Sequence, residues 1–176
     1  MKRYFTIVTS TLLMAAVVFA QMGPPKPAPE LQKVNYFLGP WTSSGDMKPG
    51  PFGPGGKFTE SGRGEWMEGG YFLVIHSDFN SPTMGTSKGV AYMGYDPQDK
   101  VYTYDAFSSM GENIHSKGTV DGDTWNWTND MKMGAKTVKA RYTMKILSPT
   151  SYTFKFDMSE DGTKWQTMME GKTTKQ

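Results

Sequence analysis

The chain has 176 residues, no cysteine, and 19 basic against 17 acidic side chains. The absence of cysteine excludes disulfides, thiolate chemistry and cysteine-ligated zinc. Without the N-terminal Lys2 and Arg3, 17 basic side chains face 17 acidic ones, and such a balanced chain without a basic cluster argues against a nucleic-acid partner or a polybasic membrane patch.

The first 20 residues predict a secretory signal peptide. Lys2 and Arg3 precede an apolar run from Ile7 to Phe19, and Ala20 ends a stretch that suits signal peptidase. We expect cleavage before Gln21 and export to the periplasm or the extracellular space. The run is shorter than the roughly 20 apolar residues that a spanning helix needs, so no membrane span is predicted after cleavage.

A single domain is predicted to follow a proline-rich linker at residues 21–29. Glu30 to Leu38 is expected to form about two helical turns, begun by Pro29 and ended by Gly39-Pro40. Leu31, Val34 and Leu38 share one face at helical spacing, which predicts a short helix that plugs or flanks one end of the domain at 30–176.

The rest of the domain alternates apolar and polar residues with a period of two, which indicates strands with one apolar face. Tyr152, Phe154, Phe156 and Met158, for example, share one side of an extended segment. Many short strands separated by turn signals predict an all-β antiparallel barrel or sandwich. The ten predicted strands are 41–47, 57–67, 71–79, 87–95, 101–107, 112–119, 124–130, 137–146, 151–158 and 164–172.

Residues 48–56 interrupt this rhythm with three prolines and four glycines. Prolines cannot donate to a strand ladder, so the segment is predicted to be a loop between the first two strands. A second interpretation is a lid over a barrel mouth, with Phe52 as its apolar contact.

The apolar faces carry aromatic side chains that could line a ligand cavity. A barrel of this size either fills its interior with side chains or holds one small ligand. Aromatic rings with polar tips suit a small apolar or amphipathic ligand, while a filled core that serves a structural or interaction role is the alternative. The candidate ligand-binding residues on these faces are Trp125, Trp127, Tyr142, Phe154, Tyr102, Tyr104 and His76. Trp165, Thr167 and Met169 are likewise expected to share a face.

Several motifs resemble, in the right order, an exported bacterial family known as domain of unknown function 1579. They are Phe37-Leu38-Gly39-Pro40-Trp41, Glu68-Gly69-Gly70-Tyr71-Phe72-Leu73, Gly94-Tyr95-Asp96-Pro97, Ser109-Met110-Gly111 and Asp161-Gly162-Thr163-Lys164-Trp165-Gln166. The Gly39-x-Trp41 start is also similar to the opening of lipocalins and other calycins. The resemblance implies a single lipocalin-like antiparallel β-barrel of about ten strands, and it implies no established activity.

The chain has two histidines, His76 and His115. His76 follows Phe72 and Val74 at strand spacing and is predicted to point inward, whereas His115 shares a face with Asn113 and Lys117 and is expected at a rim or in solvent. Because nitrobindin is a similar calycin, haem held by one of these histidines is a further alternative.

Metal and catalytic sites have little support in the sequence. The Met131-x-Met133 pair could favour Cu(I), yet the methionines are scattered over most strands and no histidine accompanies the pair. No Gly-x-Ser-x-Gly elbow or His-Glu-x-x-His pair occurs, so no catalytic constellation is recognised and no metal or cofactor is predicted. The oligomeric state leaves no trace in the sequence.

Overall fold

A computed structural model describes residues 26–176, which form one closed barrel of ten antiparallel strands. Each strand pairs with its neighbours in the sequence, and the last strand returns to pair with the first. This confirms the predicted all-β antiparallel barrel. The predicted signal peptide and residues 21–25 of the predicted linker lie outside the described residues.

All ten predicted strands occur, and no bound differs from its prediction by more than three residues. The strands are β1 (Gly39–Met47), β2 (Gly56–Trp66), β3 (Leu73–Ser81), β4 (Gly85–Asp96), β5 (Val101–Ser108), β6 (Asn113–Asp121), β7 (Thr124–Met133), β8 (Lys136–Ser148), β9 (Ser151–Ser159) and β10 (Gln166–Lys175).

The predicted helix is present as a 3₁₀ helix at Pro29–Phe37, which we call the plug. It buries Leu31, Val34 and Phe37, whereas an α-helical face would have paired Leu31 and Val34 with Leu38. A 3₁₀ helix has three residues per turn, so side chains three apart line up on one face. The predicted face is therefore corrected at its last position from Leu38 to Phe37.

The plug closes the end of the barrel where β1 begins, and side chains from three strands hydrogen-bond to it. Trp41 Nε1 donates to the carbonyl of Phe37 at 3.1 Å, and Trp66 Nε1 donates to Asn35 Oδ1 at 2.9 Å. The Tyr102 hydroxyl donates to the carbonyl of Glu30 at 3.0 Å. From the plug itself, the Tyr36 hydroxyl donates to the carbonyl of Ser148 at 3.0 Å. The plug is thus tied to β1, β2, β5 and β8.

The opposite end of the barrel carries the loop of residues 48–55. Phe52 in this loop packs against Phe156, with ring centroids 6.1 Å apart, and joins a small apolar cluster separate from the main core. That cluster is rich in methionine and contains Met131, Met133, Val138, Met158 and Met168. The segment is therefore a loop, as predicted, and Phe52 supplies an apolar contact at this end.

A β-bulge changes the phase of β10 between Thr167 and Met169. Thr167 lies on the outer face, where its hydroxyl donates to Asp157 Oδ1 at 2.8 Å, while Met169 packs against the main core. Trp165 precedes the strand and lies over the Arg141 guanidinium at 4.2 Å. The prediction that Trp165, Thr167 and Met169 share one face is wrong, because a bulge inserts one extra residue into the alternation.

Candidate functional site

The predicted site residues nearest the plug belong to a dry core. Trp125 and Trp127 stack with centroids 5.8 Å apart and are 1% and 4% exposed. Tyr102 is buried against Trp125 at 4.8 Å, and Phe37 of the plug meets the same ring at 5.2 Å. At this end side chains are closely packed, and Trp125 and Tyr102 belong to that buried core.

Three other predicted site residues line the middle of the barrel. Phe154 stacks on Tyr142 with centroids 5.6 Å apart, and Tyr104 lies 5.5 Å from Trp127. Trp127 therefore contacts both the dry core and this central region. The two tyrosines keep part of their surface accessible, although both belong to the inward-facing core of a closed barrel.

The predicted inward orientation of His76 is wrong. Leu73, Ile75 and Phe79 of β3 pack into the core, so His76 alternates to the outer face and is exposed. His115 is also exposed, as expected, and its Nδ1 lies 2.6 Å from Asp105 Oδ1 on the outer wall. Since these are the only histidines of the chain, no histidine faces the interior, and the residues present do not fit an axially ligated haem inside the barrel.

The central region contains a carboxyl group that the sequence interpretation missed. Glu60 lies on the inner face of β2, two residues from the buried Phe58, and its register partners are Ser43 and Phe79. The Ser77 hydroxyl hydrogen-bonds its carboxylate. The signal was available in the predicted strand, because Glu60 shares the period-two face of Phe58 and Trp66.

Glu60 belongs to a band of polar side chains that runs across the inner faces of five neighbouring strands. Ser43 pairs in register with both Glu60 and Thr173, and the Ser43 and Thr173 hydroxyls lie 2.8 Å apart. Tyr152 pairs with Thr173 and hydrogen-bonds its hydroxyl. We call this band the polar strip; it consists of Tyr152, Thr173, Ser43, Glu60 and Ser77.

Burial shifts the ionisation of these groups. Desolvation raises the pKa of Glu60 above its ordinary value, and the Ser77 hydrogen bond offsets part of that effect. Burial likewise raises the pKa of Tyr152 to about 12. For Tyr104 and Tyr142 burial raises the pKa far above 10, and the Glu60 charge adds to the shift in both cases. The strand register puts all four side chains on the inner face of the barrel, so they face the same interior space.

Small side chains leave room beside this strip. The inner faces of β2 to β6 carry Gly62, Gly89, Ala91, Ala106 and Ser116, opposite the rings of Tyr142 and Phe154 on β8 and β9. Inward-facing Glu60, Ser77, Tyr104 and Tyr142 keep accessible surface. An inward side chain of a closed barrel can be both desolvated and accessible only where it borders space that protein atoms do not fill. We call this space the chamber.

The chamber differs from the concave surfaces of the outer wall. A groove of about 960 Å³ crosses the outside of the barrel from β8 to β2, and its lining includes Lys145, Lys155 and Lys172. Phe58 and Phe154 contribute apolar surface to this groove, but it is open and ringed by lysine, threonine and acidic side chains, so it encloses a ligand less well than the barrel interior. The inner chamber is the better candidate for a binding site.

Metal-binding features are sparse in the described part of the chain. No group of three or more histidine and acidic side chains converges in residues 26–176. Met131 and Met133, considered above for Cu(I), pack with Met158 and Met168 in the apolar cluster beneath Phe52. Thioethers fill irregular gaps between apolar groups, which accounts for this cluster.

No helix in residues 26–176 has the length and hydropathy required to cross a bilayer.

The barrel is similar to the crystal structure of Rv2717c from M. tuberculosis, with a TM-score of 0.59 and 16% sequence identity over 86% of this chain and 99% of that one. At this identity the likeness shows a shared fold. No sequence among curated proteins is significantly similar to the chain. The model of the family of proteins of unknown function DUF1579 matches residues 26–175, so the chain belongs to that family.

Proposed function

We propose that the protein is an exported barrel that binds a small amphipathic molecule in the chamber. The observation that carries this proposal is the partial accessibility of Tyr104 and Tyr142, two inward-facing side chains of a closed barrel. Their rings, with Phe154, offer an apolar surface, and the polar strip offers hydrogen-bonding groups. An apolar pocket with a few convergent polar groups is the usual form of a small-molecule site.

The main alternative is a barrel with a filled core that acts through its surface. The dry core beside the plug fits that alternative, since Leu73 and Val34 are 0% exposed. The small side chains of β2 to β6 do not fit it, because a filled barrel would place larger residues opposite Tyr142 and Phe154. The two functions therefore make different predictions about enlarging a small inner residue.

Calorimetric titration of the purified protein with 1-octanol tests the proposal. We expect saturable binding to the wild-type protein and its loss in Ala106→Leu, because Ala106 is inward-facing beside Tyr104 and the larger side chain would occupy the chamber. The Leu side chain should be accommodated with little loss of stability. In a filled core the same substitution would destabilise by about 1–3 kcal/mol through overpacking.

Ala135→Leu is the matched control, because Ala135 is exposed in the turn between β7 and β8. This variant should bind octanol like the wild-type protein. If octanol fails to bind the wild-type protein and Ala106→Leu is strongly destabilised, the filled-core alternative is correct.

Export is the second part of the proposal, supported by Lys2, Arg3 and the apolar run that follows them. Mass spectrometry of the protein from its own host should find a chain that begins at Gln21. A native spectrum of the same sample would also show any molecule that co-purifies. A mass that includes residues 1–20 would contradict cleavage.

A further inference from the structure

The interior of the barrel has an unbalanced charge. Among the inward-facing side chains of β1 to β10, Glu60 is the only carboxyl group of the chamber. Two basic side chains share the inward register, one at each end of the barrel. Lys175 lies at the plug end, where its Nζ is 5.3 Å from the Trp41 ring, and Lys136 lies at the other end, where its Nζ is 2.9 Å from Glu160 Oε1. Burying a carboxylate without a cation costs several kcal/mol of folding free energy. The barrel would therefore be more stable with a neutral side chain at this position.

We infer that the ligand of the chamber carries a compact cationic group, a protonated or quaternary amine, and that Glu60 is its counter-ion. This inference rests on the proposed function. A cation beside Glu60 would supply the missing charge. The attraction between the two charges is stronger in a low-dielectric interior than in water. An anionic group in the same place would face repulsion from Glu60 with no basic side chain to offset it.

The rings around Glu60 favour the same class of ligand. Tyr104 and Tyr142 share the inner face with Glu60, and their rings pack against Trp127 at 5.5 Å and Phe154 at 5.6 Å, respectively. Aromatic faces attract ammonium groups, most strongly when water is excluded. The hydroxyl oxygens of the tyrosines and of Ser77 can also accept hydrogen bonds from a protonated amine.

Three ligands with one octyl chain separate the possibilities by their head groups: octyltrimethylammonium, 1-octanol and octanoate. By calorimetry we expect octyltrimethylammonium to bind at least about tenfold more tightly than octanol, the equivalent of about 1.4 kcal/mol, and octanoate to bind most weakly. Glu60→Gln should lower octyltrimethylammonium affinity at least about tenfold, so that the ratio of its affinity to that of octanol falls to about one. Glu65→Gln is the matched control, because Glu65 is exposed on the outer face of the same strand.

The dependence on pH gives an independent readout. Octyltrimethylammonium keeps its charge at every pH, so its affinity should rise between about pH 4 and about pH 8 as Glu60 ionises. The other titratable groups that face Glu60 are Tyr104, Tyr142 and Tyr152, which stay neutral over this range. Octanol affinity should be nearly constant, and Glu60→Gln should abolish the rise.

The outcomes separate the inference from the function on which it rests. If octanol binds and octyltrimethylammonium binds no more tightly, the cationic ligand class is wrong and a binding chamber remains. The same holds if Glu60→Gln still binds octyltrimethylammonium more tightly than octanol. Preference for octanoate would show that Glu60 is protonated and donates to an acceptor, which also overturns the inference. If none of the three ligands binds, the proposed function itself fails.

Discussion

At the scale of single residues, Glu60 is the feature that most needs a functional explanation. The other inward-facing groups of the chamber are neutral, and hydrogen bonding by Ser77 compensates only part of the burial of this carboxylate. The outer wall shows the opposite arrangement. There Asp157 is 6% exposed, yet Arg141 Nη2 lies 2.9 Å from it and Thr167 donates to it. Burial opposes its ionisation, but these hydrogen bonds outweigh that effect and lower the pKa of Asp157.

Replacing Glu60 with glutamine should stabilise the protein at neutral pH. Because the folded-state pKa of Glu60 is raised, the native protein holds this proton at pH values where the unfolded chain has lost it. That contribution to the free energy of unfolding is complete below the ordinary pKa of 4.5 and is lost as pH rises through the folded-state pKa. Glu60→Gln has no such loss. The difference in free energy of unfolding between this variant and the wild-type protein should therefore grow with pH, by about 1.4 kcal/mol for each unit by which the pKa is raised.

Urea denaturation of both proteins between about pH 4 and about pH 8 measures this difference. Glu65→Gln should show no comparable trend, because that side chain is exposed. A pH-independent difference between Glu60→Gln and the wild-type protein would mean that the Glu60 carboxylate is well solvated in the folded state.

At the scale of elements, the plug determines which end of the barrel is dry. Its buried face of Leu31, Val34 and Phe37 meets Trp125 and the surrounding core. Its hydrogen bonds to four strands hold it in place, and the bond from Trp41 Nε1 to the Phe37 carbonyl satisfies two buried polar groups. The element therefore combines apolar burial with polar anchoring, and this leaves the chamber as the unfilled part of the interior.

Val34→Ala should lower the free energy of unfolding by about 2 kcal/mol, because Val34 is 0% exposed and the lost methyl groups leave a cavity in rigid surroundings. Val90→Ala is the control. Val90 lies on the outer face of β4, where truncation should cost less than about 1 kcal/mol. Equal losses in the two variants, measured by urea denaturation, would show that the plug is not packed as tightly as described.

At the scale of the whole molecule, closure of the barrel depends on a seam between β1 and β10. Gly45 and Gly171 face each other in this seam. A Cβ atom on Gly171 would lie 2.9 Å from the Gly45 Cα and 2.6 Å from the Phe154 ring. Two glycines thus permit the backbones to approach while the Phe154 ring covers them from inside, which allows a ten-stranded sheet to close on itself.

Gly171→Val should destabilise the barrel by about 3 kcal/mol or more, since neither backbone nor ring can move away without opening the seam. Lys172→Val places the same β-branched residue at the next position, which is exposed, and should change stability by less than about 0.5 kcal/mol. If thermal unfolding shows Gly171→Val to be as stable as Lys172→Val, the close approach of the two strands is incorrect.

Much of this architecture can be predicted from local patterns. Strand alternation and turn residues are properties of neighbouring amino acids, so the ten strands and the plug position follow from the order of residues alone. Two errors arose where the local period changed: the 3₁₀ geometry of the plug replaced Leu38 with Phe37, and the bulge in β10 separated Thr167 from Met169. The error at His76 has another cause, because β3 has apolar residues on both faces and its unbroken alternation does not say which face is inside.

The sequence by itself determined the class of fold, the family motifs and the aromatic character of the interior, because each depends on the spacing of residues within one segment. Only the tertiary structure decided which part of that interior is filled, since this depends on side chains that meet from distant strands. Tyr104, Tyr142, Tyr152 and Glu60 belong to four different strands, and their shared space arises only when β10 closes against β1. A binding chamber is a property of that closure, and no local pattern along the chain records it.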